Sequence, residues 1–345
     1  MLWFVGLGIN GTESLSQKAK EVVSGSDVVY FEQFTSPISD EETNKIKQIA
    51  KEFRLAPRWL VEDGKEILEE SKSKQVCLLS FGDPYIATTH IELRVRAISE
   101  NIRTGTVHAS SALTSLVGEC GLHYYKIGKT VTIMSSIPST TAYYTIFENL
   151  KQSIHTVVLL EYNQNKGFFL EPKIALQSLL DAENGQRRKV IVDSTFAIVA
   201  SRIGQDSQKV TSGNISSLVE CDFGPPPHSI VIPGAMHFTE SDALKALSRC
   251  IDEPHDNIVE RISAQMMKKY VPMIRRALEE TKDLYRGKTE FQPVLENAYL
   301  YIRDAERFFE QGQDELAILS IGYADGLVDA LRIARGIEPD LSQMD

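Results

Sequence analysis

The stretch Gly82-Asp83-Pro84-Tyr85-Ile86-Ala87-Thr88-Thr89-His90 follows the apolar run Val76-Cys77-Leu78-Leu79, and Gly6-Leu7-Gly8 follows Trp3-Phe4-Val5. Each pattern predicts a buried strand ending in a glycine-bearing turn. Two such strand ends suit a small-molecule pocket of an open α/β sheet, where ligands sit outside the carboxyl ends of strands and backbone approaches closely. Asp83 adds a fixed acceptor or negative charge at that mouth. Gly6-Leu7-Gly8-Ile9-Asn10-Gly11 also fits G-x-G-x-x-G, with Glu32 at the end of the next strand, the pattern of a dinucleotide site. Such a site needs its middle glycine at a helix mouth, where phosphate meets the N-terminus. Here Thr12-Glu13-Ser14-Leu15-Ser16 places the helix start after Gly11. On these residues three readings stand side by side: a dinucleotide phosphate, another ligand beside a tight turn, and a purely structural turn.

Other chemistry-bearing residues have plain alternatives. Asp and Pro occur in turns for local reasons, and Ala87-Thr88-Thr89-His90 fits a helix start with a threonine cap and a packed or surface histidine. His228 follows Pro225-Pro226-Pro227, a run that restricts the backbone and aims the next residue. Tyr143-Tyr144 heads an amphipathic helix, which core packing explains. No Ser-His-Asp arrangement, H-E-x-x-H or Walker loop is present, so no catalytic residue and no metal site is assigned.

The elements that would position these groups follow from periodicity. Residues 2–32 read as strand, helix from Ser14 to Val23 with Thr12 or Ser14 as cap, and strand at Asp27–Phe31: a β-α-β unit with parallel strands. Helical spacing covers Ser36–Phe53, Gly64–Ser71 and Thr89–Glu100, with strands at Val76–Leu79 and Val107–Ala109. Near Ala109-Ser110-Ser111 small residues replace the pattern, as at a crossover. Strands are then expected at Thr130–Met134, Thr156–Glu161, Lys189–Asp193, Phe196–Ser201 and Ser229–Ile232, with helices near Ala142–Gln152 and Lys173–Asp181. Beyond Asp252 three helices are expected: Asp256–Asp283, kinked or split at Pro272; Glu290–Gln311, stopped by Gly312; and one capped by Asp314 that runs to Arg335 and Gly336.

The 345 residues suggest two or three domains, with boundaries at 1–108, 109–252 and 255–345. A net charge of −10 argues against a large nucleic-acid surface. Cys77, Cys120, Cys221 and Cys250 are scattered, without a C-x-x-C pair, and read as buried free thiols of a reducing cytoplasm. No signal peptide or membrane span is read, so a cytoplasmic protein is expected.

Taken together and in order, these turns resemble the diphthine synthase family, S-adenosylmethionine-dependent methyltransferases of diphthamide biosynthesis. The resemblance covers about residues 1–250. It rests on Leu2 to Gly8, on Gly82 to His90 with Ile91-Glu92-Leu93-Arg94-Val95-Arg96-Ala97, and on His108-Ala109-Ser110-Ser111. It continues in Gly121-Leu122-His123-Tyr124-Tyr125-Lys126-Ile127-Gly128-Lys129 and Asp222-Phe223-Gly224-Pro225-Pro226-Pro227-His228. The Gly-Asp-Pro turn alone is shared with the wider tetrapyrrole-methylase class; the longer strings are more specific.

The resemblance implies two α/β domains of the tetrapyrrole methylase type with the cofactor cleft between them, followed here by an all-α C-terminal domain. It implies a homodimer, S-adenosyl-L-methionine as cofactor and S-adenosyl-L-homocysteine as product. The cofactor residues carried over by position are Ile9, Asp83, Ile86, Ser111, Ala112, Leu160, Ile203 and His228, several through backbone atoms. The protein substrate implied is translation elongation factor 2, methylated on the amino group of its 3-amino-3-carboxypropyl-histidine to give diphthine. Direct nucleic-acid and membrane partners are not implied. The methyl donor is already activated, so the enzyme must supply alignment and exclusion of water; a dedicated base is not obligatory, since bulk water can accept the amine's proton at an open site, and no catalytic residue is named. The chain departs from the family at Pro225, often polar there, at Ile203, often small, and in length after Met134. Competing readings are a corrin-pathway methylase of the same fold and a Rossmann NAD-dependent enzyme, or a binding protein whose tail carries the function. The tail, with Ala305-Glu306-Arg307-Phe308-Phe309, resembles a small archaeal helical domain of unknown function.

Overall fold

A computed structural model describes residues 1–337, which divide into two compact units, Met1–Val259 and the chain from Glu260 onward. The first unit contains two large sheets and a small two-stranded one. The first is built from β1 (Leu2–Gly6), β2 (Val28–Glu32), β3 (Phe53–Ala56), β4 (Val76–Ser80) and β5 (Thr104–Val107). Their order is β3-β2-β4-β1-β5, all parallel. The crossovers run through α1 (Gln17–Gly25), α2 (Asp40–Ile49), α3 (Arg58–Asp63), α4 (Lys65–Ser73) and α5 (His90–Ser99). Both faces are covered, and the central strands β1, β2 and β4 are accordingly buried and largely apolar. Leu2, Phe4, Val28, Tyr30 and Leu78 pack on one face, while Val5, Val29, Phe31, Cys77 and Leu79 pack on the other.

The second sheet is mixed, with both antiparallel and parallel pairs. It consists of β6 (Val131–Ile133), β7 (Thr156–Leu160), β10 (Phe196–Ser201), β11 (Lys209–Asn214), β12 (His228–Ile232) and β13 (Arg249–Cys250), in the order β13-β11-β10-β12-β7-β6. The pairs of β10 with β11 and β12, and of β12 with β7, are antiparallel. A two-residue hairpin, β8 (Tyr162–Asn163) and β9 (Phe168–Phe169), projects after β7. Flanking helices are α6 (Ala112–Glu119), α7 (Thr140–Lys151), α8 (Pro172–Gln186), α9 (Ile215–Leu218) and α10 (Phe238–Leu247).

Several boundaries differ from expectation, each for a visible reason. The cap of α1 is Ser16, which accepts the Ala19 N–H; Thr12 and Ser14 belong to a 3-10 turn at Gly11–Ser14. The Ser36–Phe53 helix is shorter, and its end supplies edge strand β3. Lys189–Asp193 is not a strand, because the Glu183 carboxylate takes the N–H groups of Lys189, Val190 and Ile191 and leaves none for a ladder. The unforeseen β11 has no apolar run; its Thr211 and Ser212 are buried by pairing on both edges.

Among the described residues the second unit has three α-helices, α11 (Ile262–Leu284), α12 (Gln292–Glu310) and α13 (Asp314–Ile333), around Ile274, Leu278, Leu295, Ile302, Ile321 and Val328. α11 runs unbroken across Pro272. Asp314 is not a cap: it sits in the first turn of α13 and receives Arg261 and Ser263. No helix among the described residues is long and apolar enough to cross a membrane.

Candidate functional site

In the first sheet, the connection after β1 leaves toward β2 and the connection after β4 leaves the other way, toward β5. The crevice between the carboxyl ends of β1 and β4 is thus the topological switch point of an open parallel sheet. The two glycine turns meet there: Gly8 and Gly82 exchange both backbone hydrogen bonds, at 3.2 and 2.9 Å. Gly6 has no room for a side chain, since a Cβ would lie 2.5 Å from the Gly82 carbonyl and 2.7 Å from Ala109.

Asp83 is buried and fully engaged. Its Oδ1 accepts the Tyr85 N–H at 2.9 Å; its Oδ2 accepts the Ala109 N–H at 3.2 Å and pairs with His108 Nδ1 at 2.8 Å. Its role in the fold is therefore to fasten the chain between β5 and α6 to the second turn. The rest of the string wraps the Pro84 carbonyl, which accepts Thr88 Oγ1 at 2.6 Å and His90 Nδ1 at 3.0 Å. Thr89 makes no side-chain cap bond. His90 is buried, and burial, against that carbonyl bond, pushes it down to about 4, so it is neutral at physiological pH.

A cleft opens beside these turns and reaches the second sheet. Its walls are largely apolar: Phe81, Ile86, Leu113, Leu116, Leu160 and Ile203. The polar groups at its edge include Ser111, Arg202 and His228. Burial, and then the Arg202 charge, push His228 down to about 4, and its Nδ1 pairs with Ser201 Oγ at 3.0 Å. The Arg202 guanidinium is committed to the carbonyls of Phe223, Pro225 and Ser207. The carbonyl of position 225 is what Arg202 reads, so proline there costs nothing. Of the residues expected to form a cofactor site, Ile86, Ser111, Ala112, Leu160, Ile203 and His228 line this cleft. Ile9 and Asp83 stand behind it. Ile9 packs with Ile203 and against Gly204, whose φ of +85° and missing Cβ leave the space Ile9 occupies.

Two buried carboxylates have surroundings that the sequence reading did not foresee. Glu32 ends β2 and is completely buried; its Oε2 accepts the N–H groups of Phe34 and Thr35 at 3.2 and 3.1 Å, and its Oε1 has no partner. Burial, opposed first by the Thr35 hydroxyl and then by those N–H groups and Arg58, pushes it up to about 7. Because β4 lies between β1 and β2, Glu32 is two strand spacings, roughly 10 Å, from the first turn. With α1 beginning only at Gln17, a dinucleotide would find neither its phosphate site nor its ribose acceptor. The second is Glu240. Its buried carboxylate accepts the His123 and His237 N–H groups at 2.8 and 2.7 Å and pairs with His155 and Lys126. Burial pulls this carboxyl upward, but Lys126 and the N–H donors outweigh it and hold it at about 2. The Gly121–Lys126 string is therefore scaffold, bound to the start of α10. The spacing His237-x-x-Glu240 carried a legible capping-box signal. Among the described residues no group of three His, Cys, Asp or Glu is arranged to hold a metal.

The family model for tetrapyrrole (corrin/porphyrin) methylases matches residues 1–219, and that for a protein of unknown function, DUF357, matches residues 269–337. The diphthine synthase of Methanocaldococcus jannaschii is 35% identical over 254 residues, covering 72% of this chain and 98% of the relative. That of Methanosarcina mazei is 34% identical over 267 residues, 75% of this chain and 100% of the relative. A crystal structure of diphthine synthase matches with a TM-score of 0.65 at 30% identity, over 72% of this chain and 96% of that one. With its switch-point cleft, its paired glycine turns and these relatives, the chain belongs to the tetrapyrrole methylase family and, within it, to the diphthine synthases, the methyltransferases of diphthamide biosynthesis.

Proposed function

We propose that the chain transfers methyl groups from S-adenosylmethionine to the amino group of the 3-amino-3-carboxypropyl-histidine of translation elongation factor 2, releasing S-adenosylhomocysteine. The observation that carries this reading is the cleft at the switch point, apolar in its walls and lined by six of the eight residues expected to hold the cofactor. Ile86, Ser111, Ala112, Leu160, Ile203 and His228 would contact it, with Asp83 and Ile9 holding the turns behind.

The residues present fit such a ligand. Gly82 lines the cleft without a side chain, which admits backbone contact there. His228 is neutral, and the Arg202 charge is held on the carbonyl oxygens of Phe223, Pro225 and Ser207, whose dipoles partly offset it toward a sulfonium. Ala112 opens α6, where N–H groups lack intrahelical acceptors and suit the carboxylate of a methionyl moiety. When bound, the cofactor supplies an activated methyl on sulfur. The chain supplies alignment and dryness: Phe81, Leu116 and Ile203 exclude water, and the Asp83 clamp fixes the turn that faces the ligand.

In this reading the chain works in the cytoplasm as a homodimer, residues 1–108 and 109–252 act as the two methylase domains, and 255–345 as an appended helical domain. The test is transfer of labelled methyl from S-adenosylmethionine to elongation factor 2 that carries the unmethylated side chain, with mass spectrometry of the histidine peptide. Stepwise gains of one methyl mass support the reading. Binding of NAD without binding of S-adenosylhomocysteine sinks it.

A further inference from the structure

The methyl acceptor needs a group to take its proton, and the carboxylate that lines the cleft, Glu161, is held below the usual carboxylate range by the Ser135 hydroxyl and N–H and is the poorer base. An alkylamine is an ammonium at neutral pH and cannot attack until it loses a proton. Glu32 is the fully buried acid whose free oxygen no protein group satisfies. A buried carboxylate oxygen without a partner is costly, and a group left in that condition has a use or a missing partner. Its surroundings tie it to the cleft. Thr35, whose N–H holds Oε2, is a cleft residue, and so are Ser36 and Pro37 beside it. Across the cleft Tyr162, at the start of β8, lies close enough that burial first, and then the Glu32 charge, push its hydroxyl upward. The charged and titratable neighbours of Glu32 are thus Arg58 from α3 and Tyr162 from the hairpin.

We infer that Glu32 receives the acceptor ammonium: its free Oε1 hydrogen-bonds the nitrogen and takes one proton from it before each methyl transfer. This rests on the function proposed above. The segment between β2 and α2, which has no helix or strand, is what must shift to let the nitrogen reach Oε1. The balance is simple. Ammonium and carboxylate become amine and carboxylic acid. The amine lone pair then forms the N–C bond as the C–S bond breaks, its electrons staying on sulfur, which becomes a neutral thioether. The positive charge moves to nitrogen, and Glu32 returns its proton to solvent before the next round.

The test has a readout without turnover. Calorimetry in two buffers of different ionisation heat counts protons released when unmethylated elongation factor 2 binds the enzyme–S-adenosylhomocysteine complex at pH 7. Because Glu32 is held at about 7, roughly half a proton should be released by the natural enzyme and none by Glu32→Gln. Glu32→Gln should bind S-adenosylhomocysteine within about twofold of the natural enzyme while kcat falls on the order of 100-fold. Equal proton counts in both proteins, or a kcat within threefold, overturn the inference, as does loss of S-adenosylhomocysteine binding in the variant, which marks Glu32 as structural. If Glu32→Gln does not fold, the natural enzyme decides: kcat/KM must rise through pH 7 and fall again above the pKa of the amine, and a flat profile from pH 5.5 to 8 overturns it. A natural enzyme that binds no S-adenosylhomocysteine instead removes the functional reading, and this inference with it.

Discussion

Asp83→Ala separates a positioning role from a ligand contact. The carboxylate joins the second turn to the chain entering α6 by two backbone N–H groups, Tyr85 and Ala109, and by His108. The His108 side chain is 70% exposed, so its bond is screened and adds little. The two N–H bonds end on a buried carboxylate and contribute roughly 1.5–3 kcal/mol each when intact. Alanine leaves both donors to water or to each other's neighbours, so a loss of about 2–4 kcal/mol is expected in urea unfolding of the full chain. The same change frees the segment carrying Ser111 and Ala112, and the affinity for S-adenosylhomocysteine should fall on the order of 10–100-fold. Asp83→Asn retains one acceptor and should fall between. Calorimetric titration with S-adenosylhomocysteine, and with NAD as control, reads the binding; hydrogen exchange at Tyr85 and Ala109 reads the clamp. If Asp83→Ala unfolds within 1 kcal/mol of the natural protein while losing all binding, Asp83 contacts the ligand directly and the positioning argument is wrong. If binding and both amides are unchanged, the clamp has no consequence.

Gly6→Ala forces a methyl to within 2.5 Å of the Gly82 carbonyl and should cost about 1–3 kcal/mol and weaken S-adenosylhomocysteine binding; unchanged melting and binding would refute the close approach. Glu240→Gln tests the scaffold. A carboxyl held at about 2 contributes stability that is complete above its unfolded value of 4.5 and is lost as the pH falls toward 2, about 3 kcal/mol in all, so the gap between natural and variant protein in urea should narrow between pH 5 and pH 3. A constant gap would place the effect in packing instead. Glu32 carries the opposite sign. Its folded value of about 7 lies above 4.5, so the native state holds the extra proton and the natural protein should lose up to about 3 kcal/mol of stability as the pH rises from 4.5 through 7. Glu32→Gln, with nothing to ionise, should lack that slope, and parallel stability curves would contradict the burial argument.

The positions of β1, β4 and α5 were legible because apolar runs and turn residues signal buried strands and their ends locally. In the string Gly82 to His90 the turn and the following helix start were legible for the same reason, but the threonine expected to cap the helix does not do so: Thr88 and His90 bond back to Pro84, and Thr89 makes no cap bond. Resemblance to a family supplied the residues proposed to hold the cofactor, which come from connections after strands of both sheets and from β7 and β12 and share no local pattern. What the chain alone could not reveal depends on pairs distant in sequence. Glu183 removes the donors that would have made Lys189–Asp193 a strand. β11 becomes a strand only because β10 and β13 flank it. Glu240 meets Lys126 from 114 residues away. Glu32 looked like a ribose acceptor until the strand order inserted β4 between it and the first turn. Local sequence determines where the backbone can turn and which face is apolar; strand order and burial, which only the folded chain possesses, decide which carboxylates are satisfied, which carry a proton, and which of them face the cleft.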